Sequence, residues 1–338
     1  MKRKAFWETA CFLTIFCLLF SQVNQLFRRK TLTGAWNHTT KIAGFYNEPE
    51  NEFDLIYLGS SNTYCSFSPL VVWNKIGVKS YVLATQQQPV WASYYYLREC
   101  LKTQRPHVVV MDTLMFSKHQ EYYDDGVNFS FMDNIPFSKN KVKLAYASAP
   151  KGKRLPLLIP LIKYHSRWNE LSEEDYTYHQ KSLHDPLKGY VLLEETAENV
   201  QKPDVSGIKL HAELAEKELF YFHKIRTLCQ ENGIRLIFAK TPSNPTETAQ
   251  AHYNTIENLC REYDIPFWNF NTQYNEIGLD LNTDFYDKSH LNYRGAEKFS
   301  EYFAEKIQVY FPERKTDPKW DALYEKYQSD IAGLSDKS

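Results

Sequence analysis

Asp54-Leu55-Ile56-Tyr57-Leu58-Gly59-Ser60-Ser61-Asn62-Thr63-Tyr64 is the stretch on which the reading of this chain turns. The run up to Leu58 is short, apolar and closed by glycine and serine, the pattern of a buried strand that ends in a sharp turn. Such an ending lifts a hydroxyl above the carboxyl edge of an open α/β sheet, where ligands bind. The N–H groups around Ser61 have left the sheet ladder there, so they can hold an oxyanion. The next helix is expected at Ser68-Pro69, a cap followed by proline at the first helical position, which leaves Ser61 on a loop. Read alone, Gly59-Ser60-Ser61 is also an ordinary strand-terminating turn.

A second stretch stands near the C-terminus: Asp287-Lys288-Ser289-His290-Leu291-Asn292-Tyr293-Arg294-Gly295-Ala296. A serine hydroxyl is a poor nucleophile until a base takes its proton, and histidine does this best when a carboxylate fixes its tautomer. Asp287 and His290 are close enough in sequence to form that pair within one turn. The plainer alternative is that Asp287 caps a turn ahead of the helix from Tyr293 and that His290 is a surface histidine.

Together the two stretches resemble the SGNH/GDSL hydrolase superfamily. The closer resemblance is to its membrane-anchored members with Gly-Ser-Ser, such as the D-alanyl-lipoteichoic acid biosynthesis (DltD) family. It covers roughly residues 52–112 and 233–309 and is most specific from Asp287 to Phe299. It implies Ser61 as nucleophile, His290 as base and Asp287 as its orienter. The superfamily completes its oxyanion hole with a glycine after the second strand and an asparagine after the third. Ala84 stands at the first place and can still offer its N–H. Met111-Asp112-Thr113-Leu114 supplies no asparagine at the second. Gln88 is then a candidate side-chain donor, or a surface glutamine of a Gln-rich loop.

Working outward, His107-Val108-Val109-Val110-Met111-Asp112 is apolar throughout, as a parallel strand covered on both faces should be. Asp112 at its end either caps the turn or meets a ligand. Strands are also expected at 80–83, 234–240 and 265–269. Helices are expected from Pro69 and at 90–104, 208–232, 247–263 and 293–310. Alternation of this kind gives a five-stranded parallel sheet between two helical layers, α/β/α and flavodoxin-like. Asn62, Lys240 and Thr241 fall at the edge that carries Ser61 and are candidate substrate contacts, although Lys240-Thr241 reads as well as a plain turn. The Tyr-, Lys- and Pro-rich tract 113–207 is too long for a structureless loop and reads as a partly helical insertion beside the site.

Lys2-Arg3-Lys4 precedes the apolar run Ala10–Phe20, and no small-x-small cleavage site follows it. Residues 1–30 are therefore expected to form an uncleaved membrane anchor with the domain outside the cytoplasm; an interfacial helix is the alternative. Residues 31–52 then read as a tether, 53–310 as the catalytic domain and 311–338 as a charged, peripheral tail. The formal charge of −1 argues against a nucleic-acid partner. No glycine-rich phosphate loop and no Gly-x-Ser-x-Gly elbow is present. His119, His165, His179 and His184 lack metal-ligand spacing, and neither metal nor cofactor is expected.

The expected function is a serine-dependent acyl esterase or O-acyltransferase. Location and resemblance suggest ester-linked acyl groups of a cell-envelope glycan or teichoic acid as substrate, with a membrane acyl-exporting protein as possible partner. The alternative of a different class is a non-catalytic envelope-binding or assembly protein that keeps the fold.

Overall fold

Five short apolar segments pair in parallel to build the core of the computed structural model, which describes residues 2–32, 34, 37–178 and 183–335. They are β1 (Leu55–Gly59), β2 (Ser80–Ala84), β3 (Val108–Asp112), β4 (Arg235–Lys240) and β5 (Phe267–Asn269). Their order across the sheet is β2-β1-β3-β4-β5. Leu55 lies opposite both Ser80 and Val108. The chain leaves β1 first toward β2 and afterwards toward β3, so the order reverses around β1. In an open parallel sheet that reversal opens a crevice at the carboxyl edge.

Side-chain alternation along each strand feeds two cores. Ile56, Leu58, Val109, Met111 and Phe238 face one side, under α5 (Val90–Cys100) and α11 (Glu216–Glu231). Leu55, Tyr57, Val108, Val110 and Ile237 face the other, under α3 (Ser61–Ser66), α4 (Pro69–Ile76) and α14 (Tyr293–Ile307). Doubly covered strands have no polar face, which is why they are apolar throughout. α12 (Glu247–Glu262) links β4 to β5, and the short α13 (Tyr274–Ile277) precedes the His290 turn.

The insertion is helical in part. It carries α6 (Asp125–Met132), α7 (Lys139–Ser148), α8 (Leu155–Leu158), α9 (Pro160–Tyr164) and α10 (Glu173–Thr177), and residues 183–215 run without helix or strand. α11 begins at Glu216, later than the expected 208, because residues 208–215 run without helical structure.

Two flanks differ from expectation. The tract read as a tether contains α2 (His38–Phe45), buried along its whole length, with Phe45 set edge-on against Tyr81 of β2. The tract read as a peripheral tail contains α15 (Pro318–Ser335), whose Trp320 and Tyr327 are buried in the core and whose Trp320 ring packs on Trp73. In α15 an apolar seam on one helix face outweighs the charged residues around it.

The N-terminal helix α1 (Lys2–Phe27) is long and apolar enough to cross a membrane, and it exposes Phe12, Phe16, Leu18 and Leu19.

Candidate active site

β1 ends at Gly59, where a Cβ would collide with the Thr63 hydroxyl and come within 2.9 Å of the Asp112 Cβ. Glycine lets the chain turn tightly between two neighbours. Ser60 is extended, at φ −127°, and Ser61 opens α3 directly. Ser61 therefore heads a helix and does not lie on a loop. α3 has too few residues to show helical periodicity in the sequence, and it is held by the burial of Tyr64 and Cys65 in the core. The Thr63 and Tyr64 N–H groups donate to the Ser60 carbonyl. Those of Ser61 and Asn62 precede the first intrahelical bond and have no helical acceptor.

The second half of the site is a tight turn. Asp287 Oδ1 accepts from the N–H groups of Ser289 and His290, at 2.7 and 2.8 Å, while the Tyr286 N–H donates back to the His290 carbonyl. Immediately after it, Asn292 caps α14 by accepting from the N–H groups of Arg294 and Gly295. Gly295 sits where a Cβ would strike the Asp284 carbonyl, so the Asn292-to-Gly295 tract sets the angle at which the helix leaves the turn.

The turn brings the His290 Nδ1 to 2.8 Å from Asp287 Oδ2 and the Nε2 to 2.8 Å from the Ser61 hydroxyl. A carboxylate at Nδ1 accepts a proton held there, which leaves Nε2 free to accept from Ser61. Partial burial works to raise the Asp287 carboxyl. The His290 contacts and the two backbone N–H donors outweigh it and hold the group below its ordinary value. The arrangement can draw a proton from the serine and hold the resulting imidazolium.

The other expected contacts fall into two groups. Ala84 ends β2 in register with Gly59, beside the serine turn. Asn62 is buried, and its amide donates to the Ser289 carbonyl at 2.5 Å, so it ties the two halves of the site together. Gln88 does not serve as expected: its amide donates to the Leu83 carbonyl and the Ser93 hydroxyl, and its oxygen accepts from Thr85. Lys240 and Thr241 are likewise withdrawn from substrate. Both are fully buried; the Lys240 ammonium donates to the Thr241 carbonyl, and the Thr241 hydroxyl and N–H donate to Asp112 Oδ2. Asp112 also accepts from the Leu114 N–H, so it caps the β3 turn. Burial lowers the Lys240 ammonium against the pull of that carboxylate.

One supporting segment escapes sequence reasoning. The returning insertion crosses the site, where the Val191 N–H donates to the Tyr64 carbonyl and the Leu193 carbonyl accepts from the Tyr293 N–H. It thus clamps the serine helix to the histidine turn. Its sequence signal is the apolar run Tyr190-Val191-Leu192-Leu193 behind Gly189, where φ is +90° and a Cβ would strike the Val82 carbonyl. Among the described residues no group of three His, Cys, Asp or Glu side chains could hold a metal ion; His179 lies outside them.

A family model matches residues 163–312, less than half of the chain. No curated protein matches it. Solved structures with a related arrangement include a Bacteroides fragilis protein named as an acylhydrolase, 11% identical with a TM-score of 0.39, over 82% of this chain and 99% of that one. A family two carbohydrate esterase from Clostridium thermocellum is 8% identical with a TM-score of 0.36, over 78% of this chain and 64% of its own. An acetyl xylan esterase from Butyrivibrio proteoclasticus is 9% identical with a TM-score of 0.33, over 78% of this chain and 65% of its own. The match spans just under two thirds of each esterase chain.

Proposed function

We propose that this chain is a serine esterase or O-acyltransferase of the SGNH type, held at a membrane by α1 as a single-pass anchor with its domain outside the cytoplasm. The observation that carries the reading is the continuous line of contacts from Asp287 through His290 to Ser61, each at 2.8 Å. In the proposed reaction His290 Nε2 takes the Ser61 proton as Oγ attacks an ester carbonyl. The oxyanion is held by the N–H groups of Ser61 and Ala84. The imidazolium returns its proton to the departing alkoxide, which leaves an acyl-serine. Water, or another hydroxyl in the transferase case, then attacks the acyl-serine with His290 again as base.

Ester-linked acyl groups on an envelope glycan or teichoic acid are the proposed substrates, and a membrane acyl-exporting protein is the proposed donor partner of a transferase. The commitment of the Gln88 amide elsewhere favours a second reading, an envelope-binding protein with no turnover, because it leaves fewer donors for an oxyanion.

Incubating the full-length protein with acetylated xylan and with a chromogenic acetate ester separates the two. Release of acetate by the wild type and none by Ser61→Ala is expected. Equal background release from both proteins contradicts an esterase.

A further inference from the structure

The insertion grips the end of the membrane helix. Asn24 accepts from the Leu161 N–H, the Phe27 carbonyl accepts from Arg167, Arg28 donates to the Asp133 carbonyl, and Lys30 pairs with Asp175 at 2.8 Å. At about 1.5 Å rise per residue, the end of α1 at Phe27, two residues before Arg29, falls roughly 18 Å from Ile15 at the middle of the apolar run, against a hydrocarbon half-thickness of about 15 Å. That distance puts Arg29 in the headgroup layer. The insertion elements packed there expose Leu155, Ile162, Trp168 and Tyr176. Apolar and aromatic side chains of this kind settle at the membrane boundary.

At the same level, the segment just after α1 together with α2, α6 and α9 borders a cavity of about 390 Å³. Arg29 and Lys163 bring two cations to its wall; Arg29 pairs at 3.8 Å with the exposed Glu170, while Lys163 donates to the Tyr164 hydroxyl and lies 4.0 Å from the Asp133 carboxylate. Burial first, and the Arg29 charge after it, pull the Lys163 ammonium down to about 8 against the attraction of Asp133. His38, Asp133 and Asn134 line the same cavity, and each is more than nine-tenths buried. Among the described residues, His38 Nδ1, Asp133 Oδ1 and Asn134 Oδ1 are buried without a hydrogen-bond partner. Burial and the nearby Lys41 hold the imidazole of His38 down to about 3, so it is neutral and adds no third cation. Two neighbouring cations at the headgroup level favour an anion.

We infer that this cavity binds the headgroup of an anionic phospholipid, its phosphate on Arg29 and Lys163. The assignment rests on α1 as a membrane anchor and is independent of the chemistry at Ser61. Lipid held here would seat the insertion on the membrane and fix the height of the catalytic crevice above it.

The test uses the full-length protein in mild detergent, offered phosphatidylglycerol, phosphatidylcholine or soluble glycerol 1-phosphate, with bound mass read by native mass spectrometry. Phosphatidylglycerol should be retained about tenfold over phosphatidylcholine, a preference of the size two interfacial cations supply. The Arg29→Gln/Lys163→Gln variant should lose it, and Lys163→Arg, which keeps the charge, should retain it. Equal retention of the two lipids, or undiminished retention by the double variant, overturns the assignment. Glycerol 1-phosphate that displaces the lipid at equal concentration also overturns it, in favour of a soluble phosphate ester. Alkaline carbonate extraction of cell membranes reports on the anchor separately, so a failed anchor is told apart from an anchored protein indifferent to headgroup charge.

Discussion

Asn62 and Ser289, 227 positions apart, are joined by a hydrogen bond of 2.5 Å from the buried side-chain amide of one to the carbonyl of the other. Through it the first turn of the serine helix and the histidine turn are fixed to each other independently of the Ser61–His290 contact. Asn62→Ala is expected to slow acylation by about ten- to a hundredfold, the equivalent of a hydrogen bond lost with one partner left buried. KM should change little, since Asn62 is spent on Ser289. The check is kcat and KM on a chromogenic ester; a rise confined to KM would return Asn62 to substrate binding.

Asp287→Asn tests the carboxylate. The Ser289 and His290 N–H groups would keep the amide oxygen, so the new NH2 faces Nδ1 and donates to it; the imidazole proton then sits on Nε2, and a fall in kcat on the order of 10⁴ is expected by analogy with serine triads. The substitution also has a signature in stability. The Asp287 carboxyl is held below its ordinary value in the folded state, so its contribution is present above the unfolded carboxylate range. That contribution disappears as pH falls through the folded value. Thermal melts at pH 7 and pH 3 should therefore differ less for Asp287→Asn than for the wild type.

Lys41 is fully buried, has no hydrogen-bond partner at Nζ among the described residues, and sits 3.4 Å over the Tyr64 ring. Burial takes its ammonium down to about 7 against the attraction of Cys65 and Asp185. Between pH 7 and the unfolded lysine range the unfolded chain holds a proton that the folded chain does not, so stability rises with pH there. Lys41→Met should flatten that rise, as read by melting temperature at pH 7 and pH 9.5 in detergent. A slope unchanged by the substitution would mean that Lys41 is charged when folded.

Gly59→Ala should destabilise the fold by about 1–3 kcal/mol through overpacking against Thr63 and Asp112. Trp320→Ala should cost about 3–5 kcal/mol, because it empties a buried site and also removes the indole donor to Glu52. Denaturant midpoints of the two variants measure both. A neutral Trp320→Ala would restore the reading of residues 311–338 as a peripheral tail.

What the sequence reveals follows from how each signal arises. β1 and β3 are legible because both faces of a central parallel strand must be apolar. α3 is hidden: its six residues are mostly polar, and it is held by tertiary contacts that no local pattern carries. α15 is hidden behind its charges, since the buried residues on its seam, Trp320, Tyr327 and Ile331, are widely spaced. Position along the sheet edge is readable for Gln88, Lys240 and Thr241, but the direction of their side chains is not. The Asp112 carboxylate claims Thr241, and the Leu83 carbonyl and Ser93 claim Gln88. Ser61, His290 and Asp287 escape this ambiguity because the geometry of one turn already restricts where the last two can point.

The most direct measurement is labelling of the full-length protein with a fluorophosphonate probe, with the adduct located by peptide mass spectrometry. Modification of Ser61 in the wild type, absent in Ser61→Ala and at least a hundredfold slower in His290→Ala, on the scale of general-base catalysis, is the expected result. A folded wild-type protein left unmodified, or one whose labelling is indifferent to His290, would contradict an activated serine at the head of α3.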